Sequence, residues 1–137
     1  MPQDIRSVVH VVNNVVAVCL RKGKDKEEEN FLMVDALTGD QLFGLNLHRQ
    51  TISHIESVPY LRDEFAFFTG GLDDKLKLLV VDHDLNVLKL KEFDVPISKQ
   101  VIYRAMRVVG NILVYADASA SLKAIEFFRV DDQFLDF

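Results

Sequence analysis

Glu64-Phe65-Ala66-Phe67-Phe68-Thr69-Gly70-Gly71 and Lys75-Leu76-Lys77-Leu78-Leu79-Val80-Val81-Asp82 are two apolar runs divided by Leu72-Asp73-Asp74. Short runs rich in β-branched and aromatic residues, bounded by polar turns, read as strands. The same pair occurs on either side. Asn13-Asn14-Val15-Val16-Ala17-Val18 and Gly110-Asn111-Ile112-Leu113-Val114-Tyr115 line up with Asp63-Glu64-Phe65-Ala66-Phe67-Phe68, each a polar turn followed by an apolar strand. Phe31-Leu32-Met33-Val34-Asp35 and Phe127-Phe128-Arg129-Val130-Asp131 line up with Leu78-Leu79-Val80-Val81-Asp82. Asn14, Glu64 and Asn111 are 50 and 47 positions apart, and Asp35, Asp82 and Asp131 are 47 and 49 apart.

A repeat of ~40–50 residues carrying four short strands is the signature of a β-propeller blade of the WD40-like kind. Such a blade has two apolar faces and buries both by stacking between neighbours. The expected strands are Arg6–Val12, Val15–Leu20, Phe31–Ala36, Gln41–Asn46, Ile52–Val58, Phe65–Thr69, Leu76–Asp82, Val87–Phe93, Ile102–Val109, Ile112–Tyr115, Leu122–Val130 and Phe134–Phe137. Few windows hold apolar residues at helical spacing. The expected fold is therefore all-β: about three four-stranded antiparallel blades of an incomplete β-propeller. It forms one segment over 1–137, with units at about 5–50, 51–97 and 98–137. A two-sheet β-sandwich of the same strands is the alternative.

Propellers close with ~4–8 blades. Three blades leave one face around Val8, Val16 and Leu32 and another around Ile112, Val114 and Phe127 without a neighbouring blade. The segment alone is thus expected to self-associate, or to fold well only with a partner that supplies the missing blades. Arg21–Asn30, with four basic and four acidic residues, reads as a solvated hairpin loop.

Composition agrees with a folded domain. The 137 residues are 49% hydrophobic and 27% charged, with three Pro and six Gly, which excludes a disordered tail and a collagen-like chain. Twenty-one acidic against 16 basic residues, a formal charge of −5, disfavour a general polyanion binder. At most weak nucleic-acid binding by this segment is expected. One cysteine, Cys19, excludes an internal disulfide framework and fits a reducing, intracellular compartment. Ser7–Leu20 is too short and too interrupted, at His10, Asn13 and Asn14, for a membrane helix of ~20 residues. It reads as two strands joined by a tight turn, because Asn tolerates positive φ. No membrane partner is expected.

The chain resembles the C-terminal propeller of a family of large nuclear proteins. That family includes the large subunit of damaged-DNA-binding protein, the largest subunit of the cleavage and polyadenylation specificity factor, and a spliceosomal propeller subunit. Val15-Val16-Ala17-Val18, a charged loop and Phe31–Asp35 are similar to one family unit, and Phe65–Gly71 with Lys75–Leu79 resembles the next. The best match is Gly110–Leu122, where the family tends to have a Gly-Asp pair after the strand and a Ser before an apolar run. Asp117 and Ser121 fit, and Ala116 stands in place of the Gly. The family chains are far longer than this one. The resemblance implies a protein-interaction scaffold in nuclear complexes of the RNA-processing or DNA-damage/ubiquitin-ligase type, with nucleic-acid contact in some members; for this chain such contact is expected only through the complex.

The chemistry candidates are weak. Asp82-His83-Asp84-Leu85-Asn86 begins like a calcium loop, but Val87 and Phe93 stand where such a loop needs Gly and Glu, so a β-turn is expected. His10, His48, His54 and His83 lack the short spacing zinc requires. Cys19 lies in an apolar run and reads as a buried thiol. Ser119 and Ser121 have no elbow glycines, and Thr69-Gly70-Gly71 is not followed by the Lys-Ser/Thr of a phosphate cradle. Asp117–Ser121 reads as turn capping. No catalytic, cofactor-binding or metal-binding residue is assigned, no cofactor is expected, and the sequence leaves any interaction residues unknown. A trafficking or ubiquitin-pathway propeller outside the named family is an intermediate reading. A small stand-alone ligand- or metal-binding β-domain, an enzyme included, is the alternative function.

Overall fold

The computed structural model describes residues 5–22, 27–58, 61, 63–73, 75–93, 105–116, 122–126, 128–130 and 133–135. All regular structure among them is β. The first sheet comprises β1 (Ile5–Val12), β2 (Val15–Leu20), β3 (Phe31–Asp35) and β4 (Gln41–Leu45), in that order and antiparallel throughout. The second comprises β5 (Ile52–Ser57), β6 (Glu64–Gly71), β7 (Leu76–Asp82) and β8 (Val87–Phe93), with the same order and sense. The third has β9 (Ala105–Val109), β10 (Ile112–Ala116) and β11 (Leu122–Glu126), with β10 in the middle. β12 (Phe128–Val130) and β13 (Gln133–Leu135) form a separate hairpin.

Side chains alternate across a strand, so the consecutive Phe67 and Phe68 must point to opposite sides of the second sheet. Phe67 joins Ala17, Cys19, Phe31 and Met33 of the first sheet, with Ile55, Leu79 and Val81 beside it. Its ring meets that of Phe31 edge-on, with centroids 5.2 Å apart and planes at 62°. Phe68 joins Ala66, Leu76, Leu78 and Val80, against Met106, Leu113 and Tyr115 of the third sheet. The central strands β6 and β7 are therefore dry on both faces, while β8 is largely exposed at the outer edge, and the second sheet stands between the other two, as a blade does. The inner strand β5 lies against β1 on one side and β9 on the other. The architecture is an open, incomplete propeller-like stack and not a closed ring.

Local chemistry explains the turns. Asn13 takes the expected positive φ, 49°, between β1 and β2, and Gly110 does the same at 59° between β9 and β10. Asp35 and Asp82, each the last residue of the third strand of its sheet, cap the turns that follow. Asp35 Oδ1 accepts the amides of Leu37 at 2.9 Å and Thr38 at 3.2 Å, and Asp82 Oδ1 accepts those of Asp84 and Asn86, both at 2.9 Å.

Three expectations need correction. The expected strand Leu122–Val130 is divided: β11 pairs with β10, whereas β12 pairs with β13. This changes the repeat in the third unit. Val15 pairs with Asp35, Glu64 with Asp82 and Ile112 with Glu126, so Glu126 occupies the place of the capping acids, and Asp131 lies outside the described residues. Second, the first sheet's outward face is largely covered: Leu32 is 3% exposed and clusters with Val18, Leu20 and Val34, although Val8 remains 54% exposed. On the third sheet Ile112 is exposed and Val114 half-buried, and Phe127 lies outside the described residues. Third, Arg21–Asn30 is not simply solvated, since Lys22 and Asn30 are buried.

Candidate functional site

The connection from β4 to β5, residues 46–51, is held by a set of buried polar side chains contributed by both flanking sheets. Asn30 sits just before β3, and its amide is fully used. Its Oδ1 accepts the Leu47 amide at 2.9 Å and the His48 amide at 3.4 Å, and its Nδ2 donates to the carbonyls of His48 at 2.9 Å and Gln50 at 3.0 Å. Lys22, just after β2, donates through Nζ to the Glu28 carbonyl at 2.8 Å, to the His48 carbonyl at 3.4 Å, and to Asn46 Oδ1. Lys77 of β7 donates to the Leu47 carbonyl at 2.7 Å.

His48 is the centre of this arrangement. Its Nδ1 lies 3.0 Å and 3.2 Å from the two carboxylate oxygens of Asp73, in the β6–β7 turn, and its Nε2 lies 2.8 Å from Thr69 Oγ1 on β6. A carboxylate can only accept, so Nδ1 carries a proton. Asp73 also accepts the amides of Arg49 at 3.1 Å and Lys75 at 3.2 Å. Burial pushes the Asp73 carboxyl up, but the hydrogen bond and charge of His48 and these two amides outweigh it and hold the group below the usual carboxylate range.

Thr69, His48 and Asp73 stand in the order of a nucleophile, a base and an orienting carboxylate. Access decides against that use. Thr69 is 0% and His48 1% exposed, so no substrate carbonyl reaches the hydroxyl. The chemistry available to this line is to tie a connection of one sheet to a turn of the next. Gly71 belongs to the same device, because a Cβ there would lie 2.5 Å from both His48 Nδ1 and Asp73 Oδ1. Gly71→Ala is expected to cost about 1–3 kcal/mol by forcing the pair apart, read as a lowered urea midpoint at unchanged slope.

The other candidates are scattered. His10 bonds the Asn13 carbonyl through Nε2 at 2.9 Å, and His83 stacks on Phe65 with planes 9° apart. His54 lines a shallow depression with Met106 and Tyr115. Asp82–Asn86 is a turn, with Leu85 at φ 64°. Ser119 and Ser121, with Asp117, lie outside the described residues. No three His, Cys, Asp or Glu side chains among the described residues are grouped to hold a metal ion. No helix among them is long and apolar enough to cross a membrane. Cys19 is fully buried, and burial pushes its thiol up to about 12. It should therefore react with a thiol reagent at neutral pH only in denaturant; rapid labelling of the native chain would contradict its burial.

In the sequence His48 stands out only as a possible metal ligand, and no motif marks Asn30, Lys22 or Asp73. Two signals were there to use: an Asn directly before an apolar strand, and an Asp in the turn after Gly70-Gly71. Two depressions are open on the surface, of which only the second adjoins the cluster. One, of about 470 Å³ between the first two sheets, is lined by His10, Val12, Ser57, Val58 and Phe65 among others. The other, of about 370 Å³, is lined by Arg49, Asp73, Lys75, Lys77 and Glu92, so charges of both signs face it.

Fold and site together define an open stack of blade-like antiparallel sheets whose buried polar groups serve its connections. No family model matches the chain, and no curated protein matches it. Among solved structures it is similar to the computationally designed Ika8 protein, with a TM-score of 0.52 and 16% identity over 89% of this chain and 45% of that one. It is also similar to the computationally designed Ika4 protein, with a TM-score of 0.48 and 13% identity over 92% of each chain. The chain thus spans less than half the length of Ika8, and at this identity the likeness concerns the fold alone.

Proposed function

We propose that the chain is a non-catalytic protein-interaction scaffold, a propeller segment of a larger nuclear complex of the RNA-processing or DNA-damage/ubiquitin-ligase type. The observation that carries this reading is the outward face of the third sheet. Val109 is 60%, Ile112 40% and Leu122 76% exposed on it, whereas the central strands β6 and β7 of the second sheet are buried on both sides. Exposed apolar side chains sharing one sheet face, here Val109 opposite Ile112 and Leu122 opposite Ala116, mark interaction sites. The inaccessible Thr69 and His48 favour a scaffold over a hydrolase. The nuclear assignment rests on the family resemblance alone, and the excess of acidic residues favours nucleic-acid contact through other subunits.

The test is affinity isolation of the natural full-length protein from nuclear and cytosolic extracts, with quantitative mass spectrometry. Stoichiometric recovery of subunits of such a complex from the nuclear fraction is expected. Val109→Glu combined with Leu122→Glu should abolish that recovery while leaving circular dichroism unchanged. Recovery from cytosol alone, without a stoichiometric protein partner, would overturn the proposal. A saturable shift in melting temperature with a small ligand or metal would favour a stand-alone binding domain instead.

A further inference from the structure

We draw no further inference here: the strongest candidate, the apolar outward face of the third sheet around Val109, Ile112 and Leu122, already supports the proposed function, and nothing in the structure shows what covers it.

Discussion

Phe67→Ala is expected to lower stability by about 3–5 kcal/mol, the usual cost of emptying a core aromatic site. A domain has only ~5–15 kcal/mol in total, so the variant will be at or near the edge of folding. The effect is large because Phe67 is fully buried between two sheets and meets Phe31 edge-on. A double-mutant cycle on Phe67 and Phe31 should return a coupling of about 0.5–1.5 kcal/mol. Ile55→Val on the same side of the second sheet is the milder probe, at about 0.5–1.5 kcal/mol, should Phe67→Ala fail to fold. Urea denaturation is the measurement. If Ile55→Val and Phe67→Ala were both neutral, the first two sheets would not be stacked as described.

Asp73→Ala should cost about 3 kcal/mol, because it leaves a buried His48 donor without an acceptor. The Arg49 and Lys75 amides lose partners too, but both lie where water can replace them. A dependence on pH follows from the same contacts. The folded carboxyl of Asp73 is held below its unfolded value of ~3.9, so the folded state resists protonating it. Its contribution is fully present above about pH 4 and is lost as pH falls through the folded value. Asp82, held down chiefly by the Asn86 amide and half-buried at the end of β7, acts in the same direction, so a comparison of variants is needed. Urea midpoints between about pH 6 and 2 should fall more steeply for the wild type than for Asp73→Asn. Parallel acid profiles would mean that the His48–Asp73 contact contributes nothing.

Much of the architecture is legible in the residues because strands announce themselves locally. The alternation at Phe67 and Phe68, the Asn13 turn and the paired acids Asp35 and Asp82 each depend on near neighbours in sequence. The third unit was harder to read for a specific reason. Two acidic positions, Glu126 and Asp131, each follow an apolar run, and only cross-strand pairing with Ile112 distinguishes them. The His48 cluster is hidden for a different reason. Its partners stand 21 and 25 positions away, and a rule for short metal spacing passes over them. Burial of Lys22 and Asn30 was obscured by the neutral balance of their loop, since charge patterning says nothing about which polar group turns inward.

Each of the first two sheets is made from strands consecutive in the chain, which has a consequence during synthesis. β1–β4 can pair as soon as Leu45 has emerged, but the side carrying Ala17, Cys19, Phe31 and Met33 is covered only by β5–β8, which end 48 residues later at Phe93. At ~5–20 residues per second, the nascent chain holds Phe31 and Met33 in water for about 2–10 s. Nested chains ending at 50 and 97 should reveal this interval under limited proteolysis. The shorter should be cut throughout β2 and β3, and the longer should be protected there. Equal protection of both would show that the first sheet needs no cover, and that translation leaves no opening for a chaperone to fill.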